Sequence, residues 1–150
     1  MTAIHDIPSG EERLRRCLAP ELAAGSVTPP RLGEGSGKTW GPMTLTWRTG
    51  AAADRFDRSA AAYLCLLAPD RHRRPLNLTV DYADCHSPGE ALTVTVETVS
   101  AGRTVVSLRA RAVSAGTGAP QAEAIVTYLL GEERAPRVRA SFGASGSGRR

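Results

Sequence analysis

The chain has 150 residues, enough for one domain with a real core and too few for two. Hydrophobic residues make up 41% of it and aromatics only 5%, so the core must be built mainly from Ala, Val and Leu. A net charge of +4 with no aromatic-interleaved basic stripe argues against nucleic acid, the lack of any apolar run near ~18 residues argues against a membrane span, and three cysteines without a C-x-x-C pair argue against a disulfide framework or a zinc site.

Residues 1 to 9 lack the charged-then-apolar layout of a signal peptide, so the expected location is the cytoplasm. Residues 9 to 24 carry a helix signal. Ser9 can cap it, Glu11 and Glu12 suit its positive end, and Leu14, Leu18 and Leu22 recur at helical spacing. Pro20 kinks or divides this helix and Gly25 stops it. The Pro- and Gly-rich residues 26 to 37 read as a mobile loop. Residues 38 to 48 read as a strand with a turn at Gly41-Pro42, in which Met43, Leu45 and Trp47 alternate with Thr44, Thr46 and Arg48. Thr49 can cap the strongest helical segment, residues 51 to 67. There Phe56, Ala60, Tyr63, Leu64 and Leu67 form one stripe, and from Ala60 onward the helix is apolar all round, so it is expected to be buried on most sides. Pro69 ends it.

Four strands follow. Leu76, Leu78, Val80 and Tyr82 alternate with Asn77, Thr79 and Asp81. Leu92, Val94 and Val96 alternate with Thr93, Thr95 and Glu97. Val106, Leu108, Ala110 and Ala112 alternate with Ser107, Arg109 and Arg111, and Ala122, Ala124, Val126 and Tyr128 with Glu123, Ile125 and Thr127. Turns at Ser87-Pro88-Gly89, Ser100-Ala101-Gly102 and Gly116-Thr117-Gly118 predict that successive strands are antiparallel neighbours in a sheet with one apolar and one polar face. After Leu130 the pattern stops. The chain therefore divides into an N-terminal helix and flexible loop (1–37), a folded domain (38–130) and a disordered tail (131–150).

One long buried helix followed by an antiparallel run of strands suggests a sheet wrapped around a helix, an α+β arrangement. It places Asp57, in the first turns of that helix, at the centre of any chemistry. A carboxylate there can activate water as a general base, or attack an acyl carbon directly. Asp54 lies four residues before Arg58, where an ion pair is natural. Ser59 can orient a water, and Asn77 can reach a site across a subunit interface. Arg71, Arg73 and Arg74 form a basic rim suited to a phosphate-bearing ligand or an acidic partner. His72 and His86 read as solvated loop residues, Cys65 as a core residue, and Cys85 as a thiol that nothing positions. No metal-ligand spacing occurs, and no cofactor is expected.

Three segments resemble the hotdog superfamily of acyl-CoA and acyl-carrier-protein thioesterases and dehydratases, in which an antiparallel sheet wraps a central helix. The segment from Arg48 through Thr49, Gly50 and Ala51 to Asp57 and Ala60 is similar to a His-Gly-Gly-x4-Leu-x-Asp-x-Ala motif of one thioesterase branch. Gly50 falls on its second glycine and Asp57 on its acid, while Arg48 stands on the His and Thr49 on the first glycine. The strand 76–82, and the Pro88-Gly89 turn with the Gly102-Arg103-Thr104 hairpin, are similar to the segments that follow. The resemblance implies hydrolysis of an acyl-CoA or acyl-carrier-protein thioester in a dimer, by a site shared between two chains. Asp57 is then the base or nucleophile, with Arg48, Ser59 and Asn77 beside it. The amides at Thr49, Gly50 and Ala51 hold the carbonyl oxygen, and Arg71, Arg73 and Arg74 meet coenzyme A phosphates or the carrier protein. The alternatives are a dehydratase of 3-hydroxyacyl carrier protein in fatty-acid or polyketide biosynthesis, paired with a second hotdog chain that supplies a His, and a non-catalytic subunit that binds acyl chains or carrier protein.

Overall fold

The computed structural model describes residues 9–35, 40–48, 52–83 and 90–133. In chain order these form helices α1 (Gly10–Cys17) and α2 (Ala19–Ala23), strands β1 (Arg31–Leu32) and β2 (Met43–Trp47), helix α3 (Ala52–Leu67), and strands β3 (Arg71–Tyr82), β4 (Leu92–Ala101), β5 (Val105–Ser114) and β6 (Pro120–Glu133). Ser9 caps α1 through a reciprocal box: its hydroxyl accepts from the Glu12 amide at 3.1 Å, and the Glu12 carboxylate accepts from the Ser9 amide at 3.3 Å. The chain breaks at Leu18, and Pro20 sits in the first turn of α2, where its missing N–H does no harm.

The strands form one antiparallel sheet in the order β1-β2-β4-β5-β6-β3. Alternation decides which face is covered. Met43, Leu45, Leu92, Val94, Val96, Leu108, Ala110, Ala124 and Val126 are all buried on the inner face, under Phe56, Ala60, Tyr63 and Leu64 of α3. Full burial of each large apolar side chain stabilises the fold by about 1.5–3 kcal/mol. The outer face is polar. On it Arg109 meets Glu123 at 3.1 Å and Glu97 at 3.7 Å, with side chains too exposed for these pairs to add much stability. Such a sheet packed round a central helix is the hotdog fold.

Four expectations need correction. β3 pairs with β6 and not with β4, because the connection spanning residues 83–91 is longer than a hairpin loop and does not force its strands together. β3 starts at Arg71, so that His72, expected in a loop, lies in a strand, whose register shifts between Pro75 and Asn77 ahead of the expected alternation. Pro75 lies opposite Tyr128, Asn77 lies opposite Thr127, and Leu76 has no register partner. The stretch 26–37 is not all loop, since Val27 bridges Trp47 and β1 pairs with β2. Finally, β6 continues past Leu130 to Glu133, held by β3 through the pairing of Arg71 with Glu133. The turn expected at residues 87–89 lies outside the described residues.

Candidate active site

The 3.6-residue period of α3 gives each of its flanks a different task. Phe56, Ala60, Tyr63 and Leu64 meet the sheet. A second flank faces β2 and the start of β4: the Trp47 indole N–H donates to the Ser59 hydroxyl at 2.8 Å, and Arg55 donates to the Glu90 carbonyl at 2.8 Å. A third meets the N-terminal helices. There Arg58 grips Glu21 with two bonds, at 2.6 and 2.9 Å, and reaches the Cys17 carbonyl at 3.2 Å. Asp57 is exposed. It lies about 200° round the helix from Ser59, on the side of β6 and β3.

That side of the sheet is less covered than the other. β3 is a long edge strand, and its apolar side chains are incompletely covered. Leu76 is 50% exposed and Tyr82 51%, with Leu78 and Val80 half-buried. A cleft of about 410 Å³ is lined by His72, Arg73, Arg74, Pro75, Leu129 and Gly131 at one end of β3, and another of about 320 Å³ lies beside Tyr82 at the other end. A third, of about 580 Å³, lies at the far edge of the sheet between Arg15, Arg31 and Thr46. Asp57 lines none of the three.

The residues singled out in the sequence are dispersed. Ser59 is fully buried and engaged by Trp47, so it does not share a cleft with Asp57. Asn77 is exposed, and its register with Thr127 puts it on the outer face, away from the helix. Arg48 is exposed beyond β2, where its amide donates to the Ser26 carbonyl at 2.9 Å. Thr49, Gly50, Ala51, Cys85 and His86 lie outside the described residues. Arg71 turns back to donate to the Gly131 carbonyl at 2.7 Å, and Arg74, opposite Leu129, lies on the outer face. Arg73, opposite Leu130, lies on the inner face and approaches the Cys65 sulfur at 3.5 Å. The ion pair expected between Asp54 and Arg58 gives way to the bond from Arg58 to Glu21.

Sequence reasoning passed over Tyr128. It is 4% exposed on the inner face of β6, and its hydroxyl has no hydrogen-bond partner among the described residues. Burial, and secondarily the Asp57 carboxylate, push its phenol up to about 12, with Arg73 acting in the opposite sense. A tyrosine on an otherwise aliphatic strand face was the available signal. The Cys17 thiol is pushed up to about 11, chiefly by burial and then by Cys65, which leaves it a poor nucleophile at neutral pH. Among the described residues, no group of three His, Cys, Asp or Glu side chains is placed to hold a metal, and no helix is long and apolar enough to cross a membrane.

Residues 52–129 match the model of a family described as the acyl-CoA thioesterase N-terminal domain. No curated protein matches the chain. Among solved structures, a candidate thioesterase from a Silicibacter species superposes with a TM-score of 0.60 at 18% identity, covering 81% of this chain and 92% of that one. Mouse thioesterase superfamily member 2 gives 0.57 at 14% identity, covering 82% and 98%. A hypothetical thioesterase of Streptococcus pneumoniae solved with coenzyme A gives 0.52 at 15% identity, covering 71% and 91%. At these identities the likeness establishes the fold.

Proposed function

The chain belongs to the acyl-CoA thioesterase N-terminal domain family, and from that premise we propose that it hydrolyses an acyl thioester with Asp57 as general base or nucleophile. The observation that carries this reading is the position of Asp57. It is a carboxylate in the early turns of the central helix, on the flank nearest the uncovered strand and opposite the side chains that lock the helix to β2. As a base, it takes a proton from water while the water oxygen adds to the thioester carbon. The tetrahedral intermediate then collapses, the carbon–sulfur bond breaks, and the proton passes to the leaving thiolate. A carbonyl placed at the positive end of α3, which begins at Ala52, would be polarised by the free amides of its first turn.

The same reading assigns coenzyme A, or a carrier protein's phosphopantetheine, to the open side of β3. Of the three arginines there, Arg73 is the one on the inner face. The acyl chain then runs between α3 and a second copy of the chain paired along β3, whose twelve-residue edge offers a long row of backbone groups for such pairing.

The test is thiol release from a panel of acyl-CoAs and acyl carrier proteins, followed with a thiol reagent. Asp57→Asn should lower kcat/KM by about 10²–10⁴-fold while thermal unfolding is unchanged. Undiminished turnover in that variant removes Asp57 from the mechanism. No release from any substrate by the unaltered chain leaves a binding subunit as the better reading. No observation here favours the dehydratase.

A further inference from the structure

We propose that Tyr128 is the positioning residue for Asp57: its hydroxyl donates a hydrogen bond to the carboxylate and holds it over the inner face of β6 and β3. The inference rests on the reading of Asp57 as the reacting carboxylate, and it begins from an imbalance in the core. On the inner face of β6, Ala122, Ala124, Val126 and Leu130 are aliphatic, yet Tyr128 brings a phenol there. A hydroxyl shut away from water without a partner destabilises a fold by about 1–3 kcal/mol relative to a satisfied one. Phenylalanine would fill the same space without that penalty.

The charged groups facing the phenol are few. Asp57 lies on the flank of α3 opposite Ser59 and acts on the phenol electrostatically, and Arg73 lies on β3 two residues from Pro75, which is directly opposite Tyr128. Arg58, on the next flank of α3, is committed to Glu21, and Arg73 reaches Cys65. Guanidiniums only donate, so of these charged groups Asp57 is the one that can accept from the phenol, and as an exposed helix residue it can change rotamer. Because the phenol titrates only near 12, it remains a donor at any working pH. A fixed donor behind an otherwise mobile carboxylate would limit the orientations from which Asp57 meets water or a thioester, a contribution that appears in kcat and not in substrate binding.

The experiment is Tyr128→Phe, alone and combined with Asp57→Ala, which leaves no acceptor at position 57. If Tyr128 holds Asp57, the single variant loses that bond and unfolds at a somewhat lower temperature, while kcat falls about tenfold at constant KM. In urea unfolding, the double variant departs from the sum of the two single variants, because a shared bond is lost only once. Additive unfolding midpoints overturn the proposal whether or not the chain turns over a thioester. A lowered melting temperature with kcat unchanged also overturns it, since the phenol then serves packing or an ordered water. If no thioester is hydrolysed but the midpoints are non-additive, the assigned reaction falls and the pairing stands.

Discussion

At the residue level, the buried polar groups of the central helix lie on flanks that hold the fold, while Asp57 is exposed on another. Ser59 shows how. Its hydroxyl is the acceptor for the Trp47 indole in a fully buried setting, so Ser59→Ala should leave that N–H without a partner and lower stability by about 1–3 kcal/mol. Urea unfolding would show this as a lower midpoint with an unchanged slope, and an unchanged midpoint would mean that the indole finds another acceptor. In the sequence, Ser59 and Asp57 look like a pair because they are two positions apart. On a helix that spacing turns them to opposite sides. The helical period alone was therefore enough to separate them. What no sequence pattern contained was the identity of the partners: Trp47 for Ser59, the Glu90 carbonyl for Arg55, and Glu21 for Arg58.

Among the elements, α1 and α2 are joined to the domain by a core contact and a polar one. Leu14 and Leu18 are fully buried in the main core, and Arg58 clasps Glu21 across the seam. The hydrogen bond from Arg58 holds the Glu21 carboxyl below its ordinary value. A depressed acid adds stability that is complete above its unfolded value of 4.5 and fades as pH falls through the lower folded value. The stability difference between the unaltered chain and Glu21→Gln should thus be constant above about pH 5 and vanish on acidification. With Arg58 40% exposed, it should stay below about 1 kcal/mol. A difference that persists at pH 3 would assign the effect to packing. The strands teach a different lesson. Period two identified the buried face of β2, β4, β5 and β6 residue by residue, because a half-buried sheet imposes that alternation. It did not reveal that β3 pairs with β6, since alternation records which way a side chain points and not which strand lies next to it. In β3 the bulge at Pro75 also shifts the phase.

For the molecule as a whole, the two ends of the sheet are unequal, and that inequality points to a second chain. At one end β1 is two residues long and offers almost no edge. At the other, the twelve residues of β3 present an open edge beside an apolar face that α3 leaves half covered. Backbone pairing alone would bury little surface, whereas a stable association removes roughly 1,200–2,000 Å² from water. A second chain paired along β3, as proposed above, would therefore have to cover Leu76, Leu78, Val80 and Tyr82 as well as pair with the edge. Such a partner would also enclose Asp57, which is exposed in the single chain. We therefore predict that Leu76→Lys with Val80→Lys converts a dimer into monomers in sedimentation velocity. The association constant should be at least about 100-fold weaker, from two charges that would have to be desolvated at the seam. Circular dichroism should show that the variant is still folded. Val99→Lys, which replaces another exposed apolar side chain on β4, is the control and should leave association unchanged. If the dimer is lost, thiol release should be lost with it. A monomer of unaltered activity would show that one chain builds its whole site, and a dimer that survives both lysines would place the interface away from β3.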